Sequence, residues 1–525
     1  MLNKFFNKKR NIFGLQINDW VLLAIGLAIF TVITLWTITK SSIWFDEAFG
    51  AYMIRFNFAD IFKYTAADVH PPLFYLLLKL WSLIFGNTEL ALRSMSLFFG
   101  AVTIVFGYLL ANRLFDKKIA RISLLFMILS PMLIRYGQEM RMYALVAAIG
   151  LAATYVLTIA VESKKRLPWI IYGILIALGM WTHYLMAIVW ISHWVWRADC
   201  LISVGVKKEF FKKFFSKQWI MAHIIAVASF LPWVPFFIAQ IFNIQVNGFW
   251  IPPVTPDTIP NFMTNTIFYQ DVGNVTGWLA FGFIIIVVLV VIWSLKICKL
   301  LIGSKQRQSY RLIFWLAAVP VLLLFLSSMP PLRSSFVDRY LICSAVAISI
   351  FVSATLGLGL KFMSSKLRIL VALTITAFML LGVTNVWHFG NYSKTSNASN
   401  NTREIVKAAI DNSSSNEPII ADSPWLFYEA IFYATDKHPV YFIDANTQYP
   451  YGSLDMLKYN DQHKIKDIAL FTKQNPIVWY IGLPRGADFK SPYSNWRVLH
   501  KEYVNDSING KPAYEAIRYA VINRY

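Results

Sequence analysis

The chain has 525 residues, of which 57% are hydrophobic and 15% charged, with a formal net charge of +21. A soluble protein of this length would be about a quarter charged, so the long apolar runs in the first three quarters exclude an ordinary soluble globule and point to the bilayer. The basic residues sit in short clusters between those runs, a placement that reads as membrane topology and excludes nucleic acid as the expected partner.

The N-terminal segment MLNKFFNKKRN is basic, and the apolar run after it carries no small-residue cleavage site. It reads as a retained first helix. Further candidate spans follow at roughly 93–111, 121–135, 142–161, 168–182, 184–197, 219–239, 276–298, 311–328, 337–360 and 368–388, which with 20–39 makes about eleven. The fold class expected is a polytopic α-helical membrane protein. Charge sets the topology. The clusters Lys4–Arg10, Arg113–Arg121, Lys164–Arg166, Arg197–Lys217, Lys296–Arg311 and Lys361–Arg368 are expected on the cytoplasmic side, with the N-terminus. Each stretch between them then makes an even number of passes. The run around His183 therefore splits into two short helices with His183 at an outer turn, and Asp46, His70, Gln138, Arg141, Arg333 and Arg339 also fall outside. Cys200, Cys298 and Cys343 all lie in or beside apolar runs, so no disulfide framework is expected in the polar tail.

The first outer loop, about 40–92, opens with SIWFDEAFGAYMIRF. Asp46 and Glu47 stand there among Trp44, Phe45 and Phe49, where carboxylates are costly unless used. Such a carboxylate could take a proton from an alcohol; it could equally be an acid at a helix start. The loop continues with ADVHPPLFYLLLKLW, where Pro71 and Pro72 fix the chain direction beside His70. His70 could contact phosphate, join a metal site with Asp68, or cap a helix. Arg93 begins the next span and could either snorkel or meet an anion. In IRYGQEMRMYAL, Arg135, Gln138, Glu139 and Arg141 crowd one short outer turn, where Arg141 suits a phosphate and Glu139 a pairing or metal role. MPPLRSSFVDRYLI adds Arg333, Asp338, Arg339 and Tyr340 at the mouth of a later span. Between these, the loop 240–275 is rich in proline and aromatic residues and could gate a lipid-facing opening. The outer rim thus mixes acids, arginines and histidines, and the inner rim carries mostly lysine clusters. A site that handles a phosphate and moves a proton needs the outer composition.

The tail, 391–525, opens with the linker-like NYSKTSNASNNT. It then alternates the strand-like EPIIAD, PVYFID and PIVWYIG with a helix over SPWLFYEAIFYATD, capped by Ser423 with Pro424 in the first turn. AYEAIRYAVIN reads as a last strand. A small extracytoplasmic α/β domain is expected, acting as a cap or an acceptor-docking module.

The string WFDEAF…HPPLFYLLLKLWSLIFGNTELALRSMSLFFGA, followed by YGQEMRMYAL and RYLI, resembles the bacterial branch of the protein O-mannosyltransferase family. That branch belongs to the GT-C superfamily and includes the aminoarabinose transferases acting on lipid A. The match covers roughly residues 20–200 well and the rest by layout. The resemblance implies a transmembrane domain of GT-C type over 1–390. It implies inverting transfer of a sugar from a polyprenyl-phosphate donor to an extracytoplasmic protein hydroxyl, glycolipid or envelope glycan. Asp46 would serve as base, with Glu47 and Glu139 as the further acidic positions. On the reading of the outer rim, His70, Arg93, Gln138, Arg141, His183, Arg333, Arg339 and Tyr340 are the candidates to bind the donor phosphate or sugar. In aminoarabinose transferases a lysine precedes the proline pair, where this chain has His70. A divalent metal is a candidate cofactor; the family's ligands do not carry over residue by residue, and Asp68 or His70 are the candidate ligands here. A lipid-linked sugar flippase and a non-catalytic envelope-assembly scaffold are the rival readings. The first would need a polar path to both faces, and the second leaves Asp46, Glu139 and Arg141 without a task.

Overall fold

The structure is a computed structural model that describes residues 15–203, 209–247, 250–302, 304–359, 362–389, 401–414, 416–443, 461–485, 493–506 and 510–522. The basic cluster Lys4–Arg10 and the linker-like stretch 391–400 lie outside the described residues. Helix α1 (Ile17–Leu35) is followed by three short helices that make up the first loop: α2 (Phe45–Met53), α3 (Phe58–Ala66) and α4 (Leu73–Phe85). The bundle continues with α5 (Glu89–Leu114), α6 (Lys117–Ile128), α7 (Pro131–Gly137), α8 (Tyr143–Ala160), α9 (Leu167–Thr182) and α10 (Met186–Ser203). After α11 (Phe210–Phe214) come α12 (Lys217–Phe230), α13 (Val234–Asn247), α14 (Thr258–Phe268), α15 (Gly277–Leu300), α16 (Lys305–Leu326), α17 (Ile342–Leu358) and α18 (Ser365–Phe389).

The chain is a multi-pass membrane protein. Among the described residues eight helices are long and apolar enough to span a bilayer, and nine if α6 and α7, bent by 54°, count as one. The expected count of eleven is reached only by adding two more. One is α9, with 16 residues. The other is α10, whose last turns carry Arg197 and Asp199. The run around His183 does split in two, with His183 as the extended C-cap residue of α9. Helix α5 buries its polar Arg93, Ser96 and Thr103 along with its apolar residues. Its Gly107 makes room for the Met127 side chain of α6, since a methyl group there would fall 2.4 Å from the Met127 sulfur. Small residues at such contacts are a usual packing device between membrane helices.

The tail adds α19 (Thr402–Asp411), α20 (Pro424–Tyr433), α21 (Ile468–Gln474) and six strands: β1 (Ile419–Ala421), β2 (Val440–Ile443), β3 (Lys464–Ile465), β4 (Ile477–Gly482), β5 (Trp496–Asn505) and β6 (Pro512–Val521). They form one sheet in the order β3-β2-β1-β4-β6-β5. The β3-β2-β1-β4 half is parallel and the β4-β6-β5 half antiparallel. Ser423 caps α20 by accepting a hydrogen bond from the Leu426 amide, with Pro424 at the first position. That helix lies on α2. Phe45 and Tyr52 meet Tyr428 with ring centroids 6.0 and 5.0 Å apart. The Ile43 amide donates to the Tyr433 hydroxyl at 2.7 Å, and Arg403 pairs with Glu89 at 2.7 Å. The tail is therefore built into the first loop of the bundle.

Candidate active site

Asp46 and Glu47 occupy the first turn of α2, where the helix dipole favours carboxylates. Successive residues on a helix diverge by about 100°, so the two acids face opposite environments. Glu47 turns inward. Its carboxylate accepts from Arg93 at both oxygens, Nε–Oε1 at 2.8 Å and Nη2–Oε2 at 2.6 Å, with both side chains fully buried. Arg93 spends its remaining donors on the carbonyls of Ile38, Ser41 and Ser42, and Glu47 also accepts from the Met140 amide at 2.9 Å. One buried pair thus ties α2, α5, the end of the first span and the Gln138–Met142 turn together.

Asp46 turns outward into a cavity of about 220 Å³. Its carboxylate oxygen lies 3.6 Å from Arg339 and 3.9 Å from Arg141. These distances exceed hydrogen-bond range, so the guanidinium groups neutralise Asp46 without occupying its lone pairs. Arg141 is fixed by donating to the Tyr75 hydroxyl at 3.0 Å and to the Asp46 carbonyl at 3.2 Å. Arg339 sits amid four aromatic rings, those of Trp44, Tyr143, Trp250 and Tyr340, at 5.0 to 5.9 Å, which hold its planar fork by cation–π attraction.

Across the cavity His70 reaches Asp68 at 3.5 Å, and the His70 and His183 rings stand 5.6 Å apart. The Leu185 amide donates to His183 Nδ1 at 3.1 Å. This puts the ring proton of the neutral imidazole on Nε2, which finds no hydrogen-bond partner among the described residues. Burial lowers the pKa of both histidines, and for His183 the neighbouring His70 lowers it further. His183 borders a narrow slot that shares Tyr143, Arg339 and Tyr340 with the main cavity.

Of the residues expected at the site, Asp46, Asp68, His70, Arg141, Arg339 and Tyr340 line the cavity, and His183 borders its extension. Five others are placed elsewhere. Glu47 and Arg93 form the buried pair behind the wall, so Arg93 neither snorkels nor faces an anion. Gln138 donates to the Thr34 carbonyl and the Thr37 hydroxyl. Glu139 is fully buried and paired with Arg135 at 2.7 Å; burial raises its pKa and Arg135 opposes the rise. Arg333 is exposed on the loop before Arg339 and is not among the cavity's lining residues. Sequence reasoning did not assign Tyr143, Trp250, Tyr75 or Trp425 to the site. Trp250 lay in the aromatic loop already singled out. Trp425, in the tail, carried no signal.

The candidate metal does not fit the residues present. Asp68 and His70 supply two donors, and among the described residues no group of three or more His, Cys, Asp or Glu side chains could hold an ion.

With this geometry in place, comparison with known proteins gives three findings. Residues 69–236 match the family model described as dolichyl-phosphate-mannose-protein mannosyltransferase. The fold is similar to that of ArnT from Cupriavidus metallidurans in the apo state, with a TM-score of 0.59 at 11% identity, over 96% of this chain and 98% of that one. ArnT bound to undecaprenyl phosphate is similar at a TM-score of 0.58 and 12% identity, with the same coverage. No curated protein sequence matches the chain.

Proposed function

We propose that the chain is a membrane glycosyltransferase of the GT-C superfamily, that it moves a sugar from a polyprenyl-phosphate donor to an acceptor hydroxyl with inversion, and that Asp46 is the base, a reading supported by the family-model match and the ArnT-like fold. One observation carries the reading: a carboxylate at a cavity wall, flanked by two fixed guanidinium groups and locked by neither. Arg141 and Arg339 bind the donor phosphate. As the bond from the sugar C1 to the phosphate oxygen breaks, that oxygen keeps the electron pair, and the cations stabilise the charge it gains. The acceptor oxygen forms the new bond to C1 from the opposite face and gives its proton to Asp46. His70 and His183, kept neutral by burial, offer N–H donors to the phosphate or the sugar without adding charge. Glu47 and Arg93 hold Asp46 in place.

The undecaprenyl phosphate bound by ArnT supports a polyprenyl carrier here. We place the site at the extracytoplasmic face of the cell membrane, with the N-terminus cytoplasmic. Arg113 ends α5 far from Arg93, Lys164 follows α8 at the end opposite Tyr143, and Arg197 lies toward the end of α10 away from His183. Basic helix ends stay in the cytoplasm. On this reading residues 1–390 are the transferase domain and 391–525 an extracytoplasmic α/β domain.

The test is transfer by purified protein in lipid nanodiscs, supplied with a panel of polyprenyl-phosphate sugars and envelope acceptors. Release of polyprenyl phosphate should accompany a product of inverted anomeric configuration, read by NMR. A product that retains the donor's anomeric configuration overturns single displacement with Asp46 as base.

A further inference from the structure

One wall of the cavity comes from outside the helical bundle. Trp425, the second residue of α20, lines it with Trp44, Phe45 and Phe49. It is half-buried, and its ring meets Phe45 edge-on at 6.5 Å. The seating of α20 is firm. Tyr428 packs against Phe45, Phe49 and Tyr52 with centroids 5.0 to 6.2 Å apart, and Arg55 donates to the Ile431 carbonyl at 3.2 Å. The helix that carries Trp425 thus rests on the helix that carries Asp46.

The cavity has two chemical characters. The cations converge on the Asp46 carboxylate, and the wall formed by Phe45, Phe49 and Trp425 is aromatic. A pyranose presents C–H groups of partial positive charge on one face and hydroxyl groups around its edge. The negative face of an indole attracts those C–H groups. A tryptophan fixed by only two side-chain torsions orders at low entropic cost. A peptide acceptor offers a hydroxyl on a small side chain and gains little from such a plate. The donor is anchored by its phosphate at the arginines and by its lipid in the bilayer. Trp425 belongs to the extramembrane tail, the side from which a second substrate arrives.

We infer that Trp425 is a specificity-determining residue, an aromatic plate supplied by the tail for the carbohydrate ring of the acceptor, so that the acceptor is itself a sugar-bearing molecule. The inference rests on the transfer reading above and names the acceptor class within it.

The test measures binding and not turnover, so its failure is distinct from failure of the transfer reading. The Asp46→Asn protein in nanodiscs is titrated, by saturation-transfer NMR, with methyl pyranosides and short β-linked oligosaccharides in one arm. A second arm uses a serine- and threonine-containing peptide, and a third uses polyprenyl-phosphate sugar. Glycosides should bind, and adding Trp425→Ala should weaken them about tenfold while donor affinity changes less than about twofold. Trp425→Phe, which keeps an aromatic face and the packing of α20, should restore most of the affinity. Loss of donor affinity in Trp425→Ala would assign the plate to the donor sugar and overturn the acceptor assignment. Binding of the peptide alone, glycoside affinity indifferent to Trp425→Ala, or a Phe variant no better than Ala would overturn the inference. Thermal unfolding and limited proteolysis of the tail in each variant separate these outcomes from a tail that has come loose.

Discussion

Replacing Glu47 with alanine tests whether the buried pair, and not Glu47's own chemistry, holds the site together. The change leaves the Arg93 guanidinium fully buried without its paired carboxylate, and removing one partner of a buried pair costs about 3–5 kcal/mol. Three carbonyls still accept from Arg93, which argues for the lower end, about 3 kcal/mol. The Met140 amide loses its acceptor as well, adding about 1 kcal/mol for an unsatisfied buried donor. The expected loss is about 4 kcal/mol. Asp46→Ala removes no carboxylate hydrogen bond among the described residues, only the contacts at 3.6 Å to Arg339 and 3.9 Å to Arg141, and should cost clearly less than Glu47→Ala. The assay is unfolding in detergent followed by tryptophan fluorescence, with a double-mutant cycle through Glu47→Leu and Arg93→Met. The double variant should recover part of the loss, although the carbonyls of residues 38, 41 and 42 keep it below wild type. A Glu47→Ala protein as stable as Asp46→Ala would refute the reasoning. Full stability with abolished transfer would instead return Glu47 to a chemical role.

Arg339→Lys keeps the charge but loses the planar fork held by four rings, and kcat/KM should fall roughly 10- to 100-fold; an unchanged value would remove Arg339 from the donor site. Arg333→Ala, on an exposed loop position, should leave both kinetics and stability within error, which steady-state assays check directly. Burial pushes the Glu429 carboxyl up to about 8, with Thr402 opposing the rise and Glu47 adding to it, whereas an unfolded glutamate titrates near ~4.3. Between those values the folded protein binds more protons than the unfolded one, so this contribution is full at low pH and is lost as pH rises through about 8. Thermal unfolding should therefore show less of a decline from pH 5 to pH 8 in Glu429→Gln than in wild type, and parallel declines would contradict the assignment.

Which residues share the site was partly legible because ionisable groups at span ends are rare unless used. Asp46, His70, Arg141, Arg339 and Tyr340 were found that way. The sequence did not say which acid of the Asp46–Glu47 pair faces the cavity, since both stand among aromatic residues and only helix phase separates them. Arg333 and Arg339 were equally unresolved, because six residues of irregular chain do not reveal which arginine turns inward. Arg93 read as an interfacial residue. Its acceptors are carbonyls near residues 38 to 42, a turn whose conformation the sequence does not encode. Trp425 was invisible because a tryptophan at the start of an apolar helix looks like ordinary packing. The tail strands Ile419–Ala421, Val440–Ile443, Ile477–Gly482 and Pro512–Val521 were readable as apolar or alternating runs. Trp496–Asn505 was not, because it is the sheet's edge strand and its exposed residues break the alternation.

The most direct test of the account compares Asp46→Asn with wild type, in the same nanodiscs, for donor binding and sugar transfer. The variant should bind the polyprenyl-phosphate sugar within about threefold of wild type, because Arg141 and Arg339 remain, while transfer falls by about 10² to 10⁴. Transfer at the wild-type rate by Asp46→Asn would contradict the role given to this carboxylate.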